Sequence, residues 1–384
     1  MPMNEMALPV ALMVITVLAE ALWLLRKGRQ TEYNWSDVAF NLNSGHIVLW
    51  LFRGLEVAIY AWVVTHASFG WVSNWGLVWQ SLFAIIAWDF CFYWLHRLHH
   101  TIPLFWAVHV VHHQGRFFNL SLGVRNSWYS SLTSIPFFLI LAVLGVPLSL
   151  FITVSLIHYS VQLFNHNAVT PRSAWMDAIF VTPHHHRVHH GRDKPYINKN
   201  FGGTFIIWDK VFGTFERERQ DVPLRYGIKG DIGHDNPLIA SNLPLLRWLG
   251  LPKKAKKQAT SLPTPLPTSL GLPVTHLLAA TVASYSLVLI FIVYQGSLGF
   301  KLESLWQLLL ACGVVGVGAA SGGSRWGLVA WFFASLGLMG LFLYVFWSTQ
   351  PLFIILACSV VLQAGLMLLL TWRRFAPPSQ GEAV

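Results

Sequence analysis

The sequence predicts an all-α, polytopic integral membrane protein. Of its 384 residues, 54% are hydrophobic and only 11% are charged, whereas about 25% of the residues of an ordinary soluble domain are charged. The mean hydropathy of +0.52 agrees with this, because so few charged side chains cannot cover the surface of a soluble protein of this size. The composition also excludes an intrinsically disordered chain and a secreted disulfide scaffold.

Apolar runs long enough to cross a bilayer, about 20 residues each, divide the chain. We expect membrane-spanning helices at about 8–25, 47–65, 75–95, 274–295, 304–321, 326–347 and 351–372. A further apolar stretch at about 131–164 is interrupted by Gly145 and Pro147. Two arrangements fit this stretch, a hairpin of two short helices or one tilted helix followed by an interfacial one, and we favour the hairpin.

The basic residues predict the orientation of these spans. Three of them within 26–29 follow the first span, four lysines within 253–257 precede the span at 274, and two arginines at 373–374 follow the last. Since Lys and Arg collect on the cytoplasmic side, we expect the N-terminus outside, the C-terminus inside and nine crossings. The same flanks indicate a retained first helix rather than a signal peptide. The formal net charge of +10 then reflects contact with anionic lipid head groups rather than nucleic acid.

We predict four units along the chain. Transmembrane helices occupy 1–74, a histidine-bearing domain occupies 75–219, and C-terminal transmembrane helices with a tail occupy 273–384. Residues 220–272 are rich in proline and lysine, which is typical of an extended cytoplasmic linker. The C-terminal helices carry almost no charge, so the sequence does not indicate their role.

The histidines carry the functional signal, since 13 of the 17 fall between residues 96 and 190. Three clusters repeat spacings of three and four residues, which place side chains on one face of a helix with Cβ atoms about 5–6 Å apart. The clusters comprise eight candidate metal ligands: His96, His100, His109, His112, His113, His186, His189 and His190. Eight nitrogen donors exceed what one ion accepts, so the pattern predicts two metals.

Other polar residues near the clusters could support such a site. His166 is a candidate ninth ligand or outer hydrogen-bond donor. Asp89 precedes His96 by two helical turns, and a carboxylate there could orient a ligand imidazole through its other nitrogen or pair with Arg97 or Arg125. His158 is better explained as a core histidine. No separate acid–base catalyst is indicated.

The ligand type narrows the metal without identifying it. An all-imidazole set without cysteine suits iron, zinc, copper or nickel, and a structural zinc would need only four ligands. The three cysteines are spread over separate apolar stretches, which argues against disulfides and thiolate sites. Two nitrogen-ligated metals at the membrane face suggest iron that activates dioxygen for reaction with an apolar substrate.

The histidine clusters and the residues around them resemble the fatty acid hydroxylase / sterol desaturase superfamily of membrane-bound di-iron oxygenases. The resemblance covers about residues 75–219, and its motifs lie at 88–97, 104–113, 119–127, 165–167, 182–190, 200–203 and 208–215. Within the superfamily, the segment 119–127 and the extra C-terminal helices look most like the alkylglycerol monooxygenase branch. The stretch 114–118 departs from the pattern of that branch.

The resemblance implies a four-helix membrane core that carries a cytoplasmic, histidine-rich cap, followed here by a C-terminal transmembrane helix bundle. It implies that the eight clustered histidines hold two irons per chain, and it leaves a reduced pterin open as a further cofactor. The implied reaction is O2-dependent hydroxylation of a lipid, whether a fatty acyl chain, a sterol or an ether lipid. The active site would face the cytoplasm, from a bacterial inner membrane or the endoplasmic reticulum.

Two other functions remain open at this point. A lipid desaturase would use the same iron chemistry and remove a second hydrogen, whereas a metal transporter or sensor would place ligands within the spans. Electrons must come from an external donor, because no flavin, haem or Rossmann signature is visible. Three arginines near the clusters are candidates for binding a substrate head group: Arg97, Arg125 and Arg187.

Overall fold

The computed structural model describes residues 7–29, 32–228, 236–251, 270 and 272–375. Among these residues the regular elements are helices, apart from one isolated antiparallel bridge between Phe180 and Phe205. The predicted all-α fold is therefore confirmed. The helices are α1 (Ala7–Arg26), α2 (Trp35–Leu42), α3 (His46–His66), α4 (Leu77–Thr101), α5 (Pro103–His113), α6 (Leu120–Val124), α7 (Ser130–Leu144), α8 (Leu148–Asn165), α9 (Ala174–Ile179), α10 (Pro183–His189), α11 (Ile207–Val211), α12 (Pro237–Trp248), α13 (Val274–Tyr294), α14 (Phe300–Ser321), α15 (Arg325–Phe346) and α16 (Pro351–Phe375).

Eight helical segments of the described chain are long and apolar enough to cross a membrane. They are α1, α2 together with α3, α4, α8, and the four helices α13 to α16. The 15-residue helix α7 is apolar but shorter. The protein is thus an integral, multi-pass membrane protein, while the orientation of its spans stays a prediction.

The stretch at 131–164 forms a helical hairpin, as the sequence favours. Helices α7 and α8 are joined at Gly145, which has a φ of +92°. A Cβ at this position would lie 2.9 Å from the Cα of Gly70. Only glycine suits both the left-handed backbone and this close approach.

Four helices, α3, α4, α7 and α8, form one hydrophobic core. Trp88 of α4 lies at its centre and stacks on Phe138 of α7, with ring centroids 4.0 Å apart. Tyr60 of α3 stacks on Phe151 of α8 at 3.7 Å, and all four side chains are buried. This is the four-helix core that the resemblance implies. Residues 102–129 and 166–228, which we call the cap, connect or follow these helices at one end.

The C-terminal helices share a second core with α1 and α2. Helix α2, which the sequence did not predict, contributes Val38, Ala39 and Leu42 to this second core. Its C-terminal end bonds to α13, since Tyr285 Oη donates to Leu42 O at 2.7 Å and Asn43 Nδ2 donates to Thr281 Oγ1 at 2.9 Å. The predicted domain bounds stay a prediction, but α13 to α16 are packed against the N-terminal part of the chain.

Part of the predicted linker at 220–272 is not extended. Residues 237–248 form α12, which Asn236 caps by accepting from the backbone N–H of Leu238 and Ile239. Ala240 of this helix is buried against Phe40 and Val111. Prolines favour an extended chain, but Pro237 occupies the first turn of the helix, where its missing N–H costs nothing. The lysines at 253–257 and the tail at 376–384 lie outside the described residues.

Candidate metal centre

The candidate ligands come from four places at the cap end of the four-helix core. His96 and His100 lie on the last turns of α4, and the second cluster lies on α5. The third cluster lies on α10 and at its C-terminal cap, and His166 directly follows α8. Helix α10 starts at the Thr182–Pro183 pair, where the His185 ring and the Thr182 side chain form a reciprocal cap.

The structure brings the eight predicted ligands and His166 together in two groups. Each group offers ring nitrogens that all lie within 4.8 Å of one another. The five-histidine group comprises His96, His100, His109, His113 and His189, and the four-histidine group comprises His112, His166, His186 and His190. Metal binding by these residues stays a prediction, but their convergence is a property of the fold.

Helix geometry explains how each cluster is divided. At about 100° per residue, side chains four positions apart differ by only about 40° in direction, whereas adjacent ones differ by about 100°. His109 and His113 therefore enter one group while His112 enters the other. The cluster on α10 is divided in the same way, with His186 and His190 together and His189 apart.

The nitrogen atoms within each group are spaced as metal ligands are. In the five-histidine group, Nε2 of His109 lies 3.2 Å from Nε2 of His96 and 3.2 Å from Nε2 of His113. In the four-histidine group, Nε2 of His166 lies 3.0 Å from Nε2 of His186 and 3.1 Å from Nε2 of His112. Nitrogens bound at about 2.0–2.1 Å to one ion lie about 2.8–3.4 Å apart in octahedral or tetrahedral arrangements.

Backbone carbonyls fix the protonation of four of these rings. Nδ1 of His96 donates to Phe201 O at 2.9 Å, and Nδ1 of His189 donates to Lys199 O at 2.8 Å. His112 and His166 donate in the same way to Arg125 O and Gln162 O, at 2.9 and 2.7 Å. A carbonyl only accepts, so Nδ1 carries the proton and Nε2 of the neutral ring presents a lone pair.

Burial keeps these rings neutral. It lowers the pKa of His112 to about 4, against the opposing effect of its bond to the Arg125 carbonyl. Burial also lowers the pKa of His113, His189 and His190 well below the usual value, and neighbouring imidazoles add to this. Several converging lone pairs repel one another unless a cation lies between them. The residues therefore fit two nitrogen-ligated metal ions.

Two buried carboxylates hold the loop at residues 198–206, which supplies two of the carbonyl partners. Asp209 accepts from the backbone N–H of Phe201 at 2.7 Å and of Gly202 at 2.8 Å. Asp89 accepts from the backbone N–H of Thr204 at 2.6 Å and of Phe205 at 3.0 Å. The two carboxylates thus hold the loop on both sides of Gly203.

Asp89 does not orient a ligand imidazole by direct contact, so the role predicted for it from the sequence is corrected. Its carboxylate accepts from the two loop amides and from Trp208 Nε1 at 2.9 Å, and does not contact a predicted ligand ring directly. It reaches His96 only through the loop that carries the Phe201 carbonyl. The pairing with Arg97 or Arg125 is not seen either, because backbone N–H groups already satisfy the carboxylate.

Gly203 allows the loop to approach the membrane core. A Cβ at this position would lie 2.2 Å from Cε1 of His158 and 2.8 Å from Oδ1 of Asp89. His158 is buried beneath the loop, 3.7 Å from Asp89 through its Nδ1, and belongs to neither histidine group. This agrees with its interpretation as a core histidine.

The three candidate head-group arginines differ in their surroundings. Arg125 is only 4% exposed and donates to Val111 O at 2.9 Å and to Gln114 Oε1 at 3.0 Å. Its guanidinium therefore braces the cap and is not placed to receive a head group, which corrects the prediction for this residue. Arg97 donates to Tyr93 Oη and Arg187 to His184 Nδ1, and both are partly exposed.

A cavity of about 320 Å³, which we call the membrane-side cavity, leads from the spans to the candidate metal centre. Its walls come mainly from α1, α3, α4, α7 and α8, with apolar side chains such as Met13, Trp50 and Leu156. Arg53 also lines it and pairs with Glu56. Five candidate ligands form its inner end: His96, His109, His112, His166 and His186.

Sequence reasoning missed several residues that position the site. Asn200 and Asp209 lie in the motifs at 200–203 and 208–215, but no role was predicted for them. Asn200 has a φ of +55°. Its side-chain amide donates to the carbonyls of His185 and Glu216 and accepts from the backbone N–H of Glu216. The available signal for Asp209 was its acidic side chain within the motif at 208–215. The carbonyl partners have no side-chain signature, so nothing in the sequence identifies them.

Comparison with known proteins agrees with this geometry. Residues 81–214 match the fatty acid hydroxylase family, and no solved structure matches the chain. An alkylglycerol monooxygenase from Homo sapiens is 36% identical over 190 residues, which are 49% of this chain and 41% of that protein. One from Caenorhabditis elegans is 30% identical over 217 residues, which are 56% of this chain and 43% of that protein.

A bacterial relative has a different lipid in its name. The ornithine lipid hydroxylase OlsE from Rhizobium tropici is 30% identical over 172 residues, which are 44% of this chain and 50% of that protein. The chain thus spans half or less of the length of the relatives described here. The predicted resemblance is confirmed, including its alkylglycerol monooxygenase-like character: the histidine-bearing part of the chain, residues 81–214, matches the fatty acid hydroxylase family.

Proposed function

We propose that the protein is a membrane-bound, non-haem di-iron monooxygenase that hydroxylates a C–H bond of a lipid with dioxygen. One observation carries the proposal. Nine imidazoles converge in two groups, and five of them line the inner end of a largely apolar cavity whose walls include membrane-spanning helices. The names of the relatives, which are monooxygenases and a hydroxylase of lipids, support oxidation over transport.

Each group would hold one iron, with His166 as the ninth ligand. Bound iron supplies the activation of dioxygen that insertion into an unactivated C–H bond requires. The chain fixes four of the imidazoles through the carbonyls of Phe201, Lys199, Arg125 and Gln162, so that none of these four rings has to reorient or lose a proton when the metal enters.

The membrane-side cavity would place the substrate. Leu156, Trp50 and Met13 offer apolar contacts to a hydrocarbon chain, and its inner end brings a methylene group against the metal ligands. The apolar part of the lining would also keep water from the reacting carbon. The substrate class is a fatty acyl chain, a sterol or an ether lipid, and the alkylglycerol monooxygenases among the relatives favour an ether lipid. A reduced pterin is the proposed source of electrons, in line with the same branch.

The cap would face the cytoplasm, with the N-terminus outside. Three basic residues end α1 or follow it, and Arg29 donates to Ala168 O of the cap at 3.1 Å. Basic residues at the cap end of the spans agree with the positive-inside rule.

The test is the metal content of the detergent-purified protein together with oxidation of added lipids. The wild-type chain should contain about two irons and convert an ether lipid, with dioxygen and a reductant, into a hydroxylated product. His112→Ala should lose the iron of the four-histidine group and all activity while still inserting into the membrane. His66→Ala is the control and should behave as wild type, because His66 is the last residue of α3 and belongs to neither histidine group.

Three results would count against the proposal. Zinc alone in protein produced with iron available would argue against an oxygenase, and full activity of His112→Ala would refute the ligand assignment. A product with a new double bond would identify a desaturase instead.

A further inference from the structure

A second cavity, of about 430 Å³, reaches the metal centre from the cap. We call it the cap-side cavity. Its walls come from the end of α4, from α5 and from the segments at 189–192, 197–198 and 227–228. Apart from the end of α4, these lie outside the membrane-spanning helices.

The two cavities divide the nine histidines between them. His100, His113, His189 and His190 line the cap-side cavity, and the other five line the membrane-side cavity. No residue lines both cavities. The two cavities therefore approach the same metal centre from different sides, and one can be filled while the other remains accessible.

Besides the lipid and dioxygen, the proposed reaction requires a donor of electrons and protons. Hydroxylation places one oxygen atom of O2 in the C–H bond and releases the other as water, which consumes two electrons and two protons. The balance is RH + O2 + DH2 → ROH + H2O + D, where RH is the lipid and DH2 is a donor of two electrons and two protons. With the lipid in the membrane-side cavity, the donor needs another approach.

The cap-side cavity suits a small, planar donor. A cavity of this volume is in the range that binds small molecules, and it is too small to admit a folded protein. The indole of Trp106 forms one wall, with its ring centroid 5.2 Å from that of His100 and 5.7 Å from that of His113. A planar ring stacked on this indole would lie beside the ligands of the five-histidine group.

Polar groups for such a donor are also available. Nε of Arg192 is buried and has no hydrogen-bond partner among the described residues, although its residue lines the cavity. An unsatisfied buried N–H destabilises the fold, and a carbonyl or anionic group of a bound molecule would satisfy it. Asn198 at the rim adds an exposed amide.

We propose that the cap-side cavity is the binding site of the reductant, a small planar organic molecule that stacks on Trp106 and accepts a hydrogen bond from Arg192. This rests on the proposed function, because only an oxygenase needs the donor. The lipid and the reductant would then reach the metal centre through different cavities without competing.

Cysteine labelling tests the proposal on the full chain. Ile197 lines the cavity and is 47% exposed, whereas Ile207 is equally exposed at 49% and lies outside both cavities. Ile197→Cys and Ile207→Cys would be made with Cys312 and Cys358 replaced by serine, leaving the buried Cys91. Each variant is loaded with iron and labelled with a bulky maleimide. Its metal centre is then reduced without oxygen or lipid, by a tetrahydropterin or by a reduced ferredoxin.

The rate of reduction is measured by the loss of ferric absorption. The label on Ile197→Cys should slow reduction by the tetrahydropterin at least tenfold, whereas the label on Ile207→Cys should have no effect. The oxidised pterin should protect Ile197→Cys, and not Ile207→Cys, from the maleimide. Protection is a binding measurement, so it separates failure of this proposal from failure to hydroxylate any lipid. An unchanged reduction rate in labelled Ile197→Cys would overturn the proposal. Reduction by the ferredoxin alone would also overturn it, in favour of a protein donor.

Discussion

Asp89→Asn tests whether the 198–206 loop fixes one histidine group and not the other. The carboxylate accepts three hydrogen bonds, from Thr204 N, Phe205 N and Trp208 Nε1. An asparagine has one acceptor oxygen, and its NH2 group would face at least one N–H donor. The variant therefore loses at least one charge-assisted bond, worth about 1.5–3 kcal/mol.

The loss should affect the two groups unequally. The loop supplies the carbonyls for His96 and His189, both of the five-histidine group, whereas His112 and His166 rely on Arg125 and Gln162. Since about 1.4 kcal/mol corresponds to a tenfold change in affinity, the five-histidine group should bind its metal roughly 10–100-fold more weakly, the range for residues that orient metal ligands. The four-histidine group should be unaffected.

Chelator titration followed by metal analysis measures this. As the chelator concentration rises, Asp89→Asn should pass through a state with about one iron per chain at concentrations where the wild type retains two. Asp221→Asn, which removes an exposed carboxylate of the cap, serves as the control for charge. Circular dichroism checks that the variant remains folded. Equal weakening of both sites, or two irons retained as in the wild type, would refute the role assigned to the loop.

Two further predictions concern the loop and the membrane-side cavity. Gly203→Ala should lower the free energy of unfolding by about 1–3 kcal/mol, because its Cβ would overlap the His158 ring; an unchanged thermal midpoint would contradict this contact. Leu156→Trp should narrow the membrane-side cavity and reduce lipid turnover at least tenfold with the iron content unchanged, whereas Ile157→Trp, which faces outward at 53% exposure, should not. Equal rates for these two variants would show that the cavity does not bind the substrate.

The histidine grouping illustrates how much a short spacing can predict. The sequence identified every member of both groups, and the angular difference between i+3 and i+4 explains which histidine joins which group. What the spacing could not show is that α5 gives two ligands to the five-histidine group and one to the other, while α10 does the reverse. That exchange depends on how the two helices are packed in the cap.

Helix α2 shows why the rest of the fold was not predictable. Hydropathy detects helices that face lipid, whereas α2 is short and carries buried polar residues such as Asp37 and Asn41. In the sequence, such polar residues predict a loop. In the fold their polarity is satisfied internally, since Asn41 Nδ2 donates to Asp37 Oδ2 and to Ser121 Oγ, both at 3.0 Å.

Helix α2 also connects the C-terminal helices to the candidate metal centre through a chain of contacts. Tyr285 and Thr281 of α13 hold the end of α2, and Arg125 lies over the ring of Phe40 in α2, with 4.7 Å from its guanidinium carbon to the ring centroid. The carbonyl of the same Arg125 orients His112 in the four-histidine group. The C-terminal helices contribute no candidate ligand among the described residues, yet their contacts with α2 support the segment that orients one. A residue-by-residue search for chemistry overlooks such a role, because apolar and small polar side chains carry it through packing.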